Sequence, residues 1–525
     1  MTLGVTRSLR CPSRNHRKYI YEEDISLQNL VGLFQQFITL MDIRLLLTLL
    51  LSTFLGVIIG ALPGLSATMG IALLTGLTYQ FPISYTFAVL MGIYVGAIYG
   101  GSMSAILLNI PGTASAAATA LEGHPLALQG KAETAIKVTR TASIIGTFVG
   151  VLVLALISPP MTQIALKFTS PEYFMLALFG VMICGSIVTD DIPLKGWLGG
   201  MLGLLIAMIG TDSMQGAPRF NFGNSDLLSG VSMVPAMIGF YSIPEIIKAF
   251  VPHKEEAEVS LARDTAQEKL NSLKVVIKHI RVVIQSSLIG VGIGALPGVG
   301  EDVAAWVSYN TAQRTSKHPE EYTHGSFEGI IAPEVGNNAA IGGALIPMLT
   351  LAVPGSPPAA VLLGALMIHN IRPGPMLMRD NPTFINYISA LLFLSVLTLW
   401  IAGMFLAKPM SKILKVPKVY LMPIVGVLSI VGAYAINNRS FDILIVLIFG
   451  VFGYFLDKMR YSPAPIILGI ILGNMIDSNF RRALTVSSGN PAVFFTRPIA
   501  LLFFCIIVLT IAFQIRKKPD NSAAQ

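Results

Sequence analysis

Charged side chains are scarce in this chain: Asp, Glu, Lys and Arg together make up 12% of its 525 residues, against 53% hydrophobic residues. A soluble domain needs a larger charged surface than that, and apolar runs of about 18 residues or more recur along the chain. The composition excludes an ordinary water-soluble protein and predicts a polytopic integral membrane protein. Cysteine is scarce too. Cys11, Cys184 and Cys505 lie far apart without metal-ligand spacing, so neither a disulfide framework nor a metal site is indicated. Enzyme signatures are missing: Gly292-Ile293-Gly294 opens like a dinucleotide fingerprint, but Pro297 stands where the third glycine belongs. GxxxxGK[ST], HExxH and GxSxG are absent. No catalytic residue is assigned, and the chain is read as not an enzyme. The net charge of +8 does not point to nucleic acid, because Lys and Arg sit mainly between apolar runs, where they orient a membrane protein.

What the chain does have is a repetition. Residues 56–64 read GVIIGALPG and residues 290–298 read GVGIGALPG. Proline lacks an amide donor and glycine accepts unusual backbone angles, so Pro63-Gly64 and Pro297-Gly298 each interrupt a helix within apolar surroundings. Backbone freed at membrane depth survives only where it is buried in protein or lines a cavity, a pointer to the binding site of repeat-built secondary transporters. The match continues at slowly drifting offsets, 234 for GALPG, 243 for Pro111-Gly112 with Pro354-Gly355, and 246 for Pro171 and Gly180 with Pro417 and Gly426. Loop insertions produce such drift in a repeat.

The expected fold is all-α and polytopic, with two related halves, predicted to be inverted repeats, each carrying a broken helix and a re-entrant-like hairpin at its Pro-Gly motifs. The segments are a basic N-terminus and interfacial lead-in (1–43), a first transmembrane repeat (44–250), a polar inter-repeat loop (251–281), a second repeat (282–476), and a C-terminal loop, last helix and basic tail (477–525). Conventional helices are expected near 138–159, 172–189, 196–212, 227–250, 282–296, 383–406, 419–436, 440–457, 463–476 and 498–515, whereas 64–137 reads as short interrupted pieces. Arg7, Arg10, Arg14, Arg17 and Lys18 precede no apolar signal core, and Arg516, Lys517 and Lys518 close the chain. Both termini are therefore expected in the cytoplasm, with an even number of crossings.

A helix that starts after Pro-Gly turns free amides and a positive dipole end outward, which favours an anion such as a carboxylate. Ser66 and Thr68 follow the first break, and Thr113 and Ser115 follow Pro111-Gly112; such hydroxyls either cap a helix or bind a ligand oxygen. In the second copy Gly300, Glu301 and Asp302 replace Ser66, Ala67 and Thr68. Two acids there repel an anion and suit a coupling cation or proton, a scaffold base, or simply a helix N-terminus. Glu334, followed by Asn337 and Asn338, is a second candidate for coupling or ligand hydrogen bonds, and close helix packing accounts for the glycines after it. Lys137 and Arg372 are read as interfacial charges by default.

These residues stand in strings, among them ALPGLSATMGIALL, GSMSAILLNIPGTASAAATALEGHPLALQGKA, GTDSMQGAPRFNFG, ALPGVGEDVAAWVSY and GIIAPEVGNNAAIGGALIPMLTLAVPGSPPAA. Over about residues 45–515 they resemble the large membrane subunit of the tripartite tricarboxylate transporters, the TctA family. The resemblance implies a multi-pass transporter of the bacterial inner membrane. It would work with a smaller membrane subunit and a periplasmic solute-binding protein, importing a di- or tricarboxylate on an ion gradient, H+ or Na+, without a cofactor. It places the loop motifs on Pro63-Gly64, Asn109 to Ser115, Pro297 to Asp302, Pro333 to Asn338 and Pro354 to Ser356. Substrate contacts are thus expected at Pro63, Gly64, Ser66, Thr68, Asn109, Gly112, Thr113, Ser115, Asn337, Asn338, Gly355 and Ser356, and ion coupling at Glu301, Asp302 or Glu334. Two positions depart from the family pattern, Ala352 and Asn370, where a glycine is common. The carboxylate is left open. The rival readings are an intramembrane enzyme using the paired acids Glu301 and Asp302, separated by product chemistry, and a passive channel, separated by accumulation against a gradient.

Overall fold

The computed structural model describes residues 32–62, 65–183, 193–212, 214–250, 272–406, 409–410 and 418–516. Pro63 and Gly64, Cys11 and Cys184, Pro417, the basic N-terminal cluster, Lys517 and Lys518, and residues 251–271 of the polar loop lie outside them. Among the described residues the structure is helical apart from one small antiparallel pair, Gly210–Thr211 with Pro218–Arg219. Seven helices among the described residues are long and apolar enough to cross a membrane, and one pair bent by 79°, Ser272–Lys278 with Ile280–Gly294, makes an eighth candidate. The chain is an all-α polytopic membrane protein.

In order, the helices are α1 (Ile43–Ala61), α2 (Ala67–Leu77), α3 (Ile83–Leu108), α4 (Ala117–Leu126), α5 (Ala132–Ala165), α6 (Ser170–Met182), α7 (Pro193–Ala207) and α8 (Met233–Phe250). There follow α9 (Ser272–Lys278), α10 (Ile280–Gly294), α11 (Gly300–Thr315), α12 (Phe327–Leu351), α13 (Pro357–Ile368), α14 (Phe384–Leu406), α15 (Lys418–Asn437), α16 (Ser440–Lys458), α17 (Pro463–Val486) and α18 (Pro498–Arg516). α3 and α12 end alike, in left-handed residues at Asn109 (φ 56°) and Ala352 (φ 59°). Asparagine reaches that region readily, but alanine does so under strain. Asn370 is also left-handed, at φ 59°. Both departures from glycine thus fall where the backbone favours glycine.

Glycines set the packing. α1 and α3 run parallel with Gly56 at Ile93 and Gly60 at Ala97; a Cβ on Gly60 would lie 2.0 Å from the Ala97 oxygen. α10 and α12 repeat this, a Cβ on Gly290 lying 2.2 Å from the Gly336 oxygen. In lipid, where apolar tails compete with apolar side chains, such backbone contact supplies the association. It also explains a difference from the sequence reading of 64–137. α3 runs unbroken for 26 residues through Gly100-Gly101, because Gly100 admits the Val57 carbonyl and Gly101 admits Thr113; the glycines make room for neighbours and leave the helix intact.

Contacts also fix direction. Tyr387 donates to the Ser84 carbonyl at 3.1 Å and Gly403 packs on Tyr99, so α14 runs with α3. α5 opposes α14, with Phe148 at Phe393 and Arg140 at Gly403. α12 follows α5, with Gly146 at Val335 and Gly150 at Ala339. The α1/α3 pair is therefore antiparallel to the α10/α12 pair. Around this centre α8 runs beside α16 and α7 beside α17, each pair parallel. α1 begins on the face that carries the β-hairpin, while α18, alongside α6 with Arg497 at Glu172, ends on the opposite face. An even number of crossings would require a further one ahead of Ile43.

Candidate functional site

The two helix breaks and the first hairpin tip meet at one place. Residues 62–66 separate α1 from α2, 295–299 separate α10 from α11, and 109–113 turn the chain after α3. With the start of α13 and the C-terminal half of α8 they enclose a cavity of about 730 Å3. Seven of the expected site residues line it: Ser66, Thr68, Gly112, Thr113, Ser115, Glu301 and Asp302. Ser66 caps α2 by accepting from the Met69 amide at 3.1 Å, and α11 starts at Gly300, so positive helix ends face the space. Thr113 Oγ1 and Ser115 Oγ lie 3.1 Å apart beside it.

The charged groups lining the cavity are Glu245, Lys248, Glu301, Asp302 and Asp457. Lys248 is paired already, 2.8 Å from Glu245 and 2.9 Å from Asp457. Acids in excess beside hydroxyls and helix N-termini can hold a cation and an anionic oxygen together. Glu301 is buried and accepts from the Tyr94 hydroxyl, which stands 3.0 Å from Ser356 Oγ. Ser356 in turn caps α13 by accepting from the Ala359 amide at 3.3 Å. One tyrosine on α3 thereby ties α11 to α13. Asp302 is exposed to the cavity and meets the backbone of Ser115, which joins the second break to the first hairpin.

Glu334 lies elsewhere, on α12, with no exposed surface. Its carboxylate accepts from Ser102 on α3, from Thr119 on α4 at 2.6 Å and from Ser143 on α5 at 2.8 Å. Asn338 donates to the Glu334 carbonyl at 2.9 Å and to Asn337 Oδ1 at 2.7 Å, while Thr147 donates to Asn338 Oδ1 at 3.2 Å. Three hydroxyl donors on one carboxylate at membrane depth are what a buried ionisable group requires. A third buried acid, Glu122 on α4, accepts from Tyr309 Oη (2.7 Å) and from the amides of Thr323 (2.6 Å), Gly325 (3.1 Å) and Ser326 (2.9 Å). It clamps the first hairpin to the loop before α12.

The expected site residues thus divide. Asn337, Asn338 and Glu334 form the separate α12 centre; Ser356 does not line the cavity but meets Glu301 both directly and through Tyr94; Gly355 packs against the Gly294 carbonyl; Asn109 is an exposed helix cap. Pro63 and Gly64 lie outside the described residues. Lys137, 2.5 Å from Glu133, and Arg372 do not line the cavity. Sequence reasoning missed Tyr94, Lys248 and Asp457, and the hydroxyls of Ser102, Thr119 and Ser143. Nothing in a single sequence brings these residues together, since they stand on helices far apart in the chain. Glu122 could have been found, as an acid inside an apolar run. A second cavity, about 610 Å3, opens at the other end of α8, where Asp212, Arg219 and Asp477 line it. No group of three or more His, Cys, Asp or Glu suited to a metal ion occurs among the described residues.

Comparison with known proteins follows the same lines. The family described as "Tripartite tricarboxylate transporter TctA family" matches residues 46–468. An uncharacterized 52.8 kDa protein in the TAR-I ttuC' 3' region of Agrobacterium vitis is 34% identical over 475 residues, 89% of this chain and 93% of its own length. An uncharacterized protein in the TAR-II ttuC' 3' region of the same organism is 36% identical over 233 residues, 44% of this chain and 96% of its own length. No solved structure matches.

Proposed function

From the membership of this chain in the tripartite tricarboxylate transporter TctA family, we propose that it is the large transmembrane subunit of a secondary active transporter that imports a di- or tricarboxylate into a bacterial cell. Its partners on this reading are a periplasmic solute-binding protein and a small membrane subunit, and it needs H+ or Na+ as coupling ion but no cofactor. The substrate leaves chemically unchanged, which sets the chain apart from an intramembrane enzyme. The observation that carries the reading is the cavity of about 730 Å3, in which hydroxyls at Ser66, Thr68, Thr113 and Ser115 meet the acids Glu301 and Asp302. Substrate carboxylates lie against the hydroxyls and helix N-termini, and the coupling cation neutralises the acids beside them.

We read the two halves, 44–250 and 282–476, as inverted repeats. The antiparallel setting of α1/α3 against α10/α12 and the matched left-handed ends of α3 and α12 support this. For orientation, the connections from α8 to α10 and from α14 to α15, together with the C-terminal tail, carry more Lys and Arg than the connections that follow α1 on the β-hairpin face. By the positive-inside rule they lie in the cytoplasm of the inner membrane and the β-hairpin faces the periplasm.

The test is uptake of labelled carboxylates by cells carrying this chain with its binding protein and small subunit, with and without a protonophore and with Na+ removed. Accumulation that collapses when the gradient is removed supports the reading. Equilibration without accumulation would instead indicate a passive channel, and absence of uptake across the panel with all three proteins in place would refute the substrate class.

A further inference from the structure

The cavity at the β-hairpin face has three charged groups in its lining: Asp212, Arg219 and Asp477. Arg219 stands on the second strand of the hairpin, with Nη2 2.5 Å from Asp212 and Nη1 2.9 Å from Asp477. Arg481 on α17 reaches the same two acids. It lies 2.8 Å and 2.6 Å from the two oxygens of Asp212 and 3.0 Å from Asp477. Each acid therefore keeps a guanidinium when Arg219 departs, and Arg219 is the cation this network can release.

The hairpin root has bonds besides those of the Arg219 side chain. Asp212 also accepts from the amides of Met214 (2.8 Å) and Gln215 (3.3 Å), and the bonds from Arg481 keep its carboxyl far below the usual carboxylate range. Beyond Arg219 the backbone is fixed in an unusual form, with Phe220 and Phe222 both at φ 48°. Bulky residues rarely adopt that region, and where they do the strain accompanies function more often than chance. The arginine thus adjoins a turn of unusual backbone, at a cavity that also presents Ser229, Ser232, Asn437 and Asn474. A planar guanidinium with two donors in a fork matches a carboxylate better than any other side chain.

We propose that this second cavity is the receiving site of the transporter, in which an incoming carboxylate takes the place of Asp477 on Arg219 before it passes along α8 to the cavity between the helix breaks. This rests on the reading of the chain as a carboxylate importer. α8 connects the two places, since Val234 and Pro235 at its start line the receiving cavity and Tyr241 and Pro244 further along line the other. Asp477 acts as a resident competitor, so its removal strengthens capture.

The test is binding of labelled citrate and succinate to the purified full chain in lipid nanodiscs, without binding protein, with uptake by the complete transporter measured in parallel. Arg219→Gln should weaken binding at least about tenfold, Arg219→Lys should weaken it less, and Asp477→Asn should tighten it. Unchanged binding in Arg219→Gln, or weaker binding in Asp477→Asn, overturns the assignment. Should Arg219→Gln fail to reach the membrane, Arg219→Lys and Asp477→Asn decide in opposite directions. A wild-type chain that binds neither acid while the complete transporter accumulates one overturns the receiving site alone. A complete transporter that accumulates neither refutes the carboxylate reading, and the receiving site falls with it.

Discussion

Tyr94→Phe removes one oxygen and leaves the ring in place. That oxygen bonds both Glu301 and Ser356, and Tyr94 is fully buried, so no water replaces the lost donor and Ser356 is the side chain left to donate to Glu301. A hydrogen bond to a charged group contributes about 1.5–3 kcal/mol in mutational series, which is about 10- to 100-fold in an equilibrium constant. If Glu301 holds the coupling cation, the change should appear as a shift of that size in the cation concentration giving half-maximal uptake. Membrane abundance should change little, because the packing of α3 against α1 is carried by glycines and apolar side chains on other positions. The assay is initial uptake in proteoliposomes at fixed substrate, titrated with Na+ at constant pH and then with pH at constant Na+. A Tyr94→Phe protein with normal abundance and an unshifted dependence on both ions would refute the role given to Glu301.

Gly112→Ala would place a methyl group 2.0 Å from the Gly60 oxygen, and Gly355→Ala one 2.0 Å from the Gly294 oxygen; overpacking against backbone costs about 1–3 kcal/mol or more, so each should lower the melting temperature in detergent, and to a similar extent. Glu334→Gln exchanges a carboxylate oxygen for an amide donor facing hydroxyl donors, and should cut uptake about tenfold with abundance retained; unaltered ion dependence would remove Glu334 from coupling. Asp302→Asn should reduce accumulation more than it reduces expression, and unchanged gradient-driven uptake excludes Asp302. Thr113→Ala should instead alter apparent substrate affinity, measured as half-saturation at a fixed gradient, and unaltered affinity removes Thr113 from the site.

Much of the fold is legible because its helices are long and apolar. The expected 383–406, 419–436, 440–457 and 498–515 stand within a residue or two of α14, α15, α16 and α18. α17 runs ten residues beyond the expected 463–476, through Asp477, Arg481 and Arg482. Polar residues end a hydropathy run, but Arg481 is paired with Asp212 and Asp477, so the helix continues at no electrostatic loss. In the site, the repeated Pro-Gly identifies both breaks, and Ser66, Thr113, Glu301 and Asp302 follow from it by proximity in the chain. Tyr94 and Lys248 do not, because what brings them there is the antiparallel packing of distant helices. Pattern reading names Glu334 as a second candidate beside Asn337 and Asn338, but not its partners Ser102, Thr119 and Ser143, which come from three other helices.

The clamp at Glu122 bears on how the chain is made. Its acceptor oxygens are filled by amides that lie 201 to 204 residues further on. At about 5–20 residues per second, a ribosome takes on the order of 10–40 s to supply them. Throughout that interval the Glu122 carboxylate on the first hairpin lacks these three amide partners. The contact between the first hairpin and the loop before α12 is therefore completed only when the second half has been made. A chain broken between α8 and α9, with both parts made in one cell, should assemble only when the part carrying residues 323–326 is present early enough to protect the other from proteolysis.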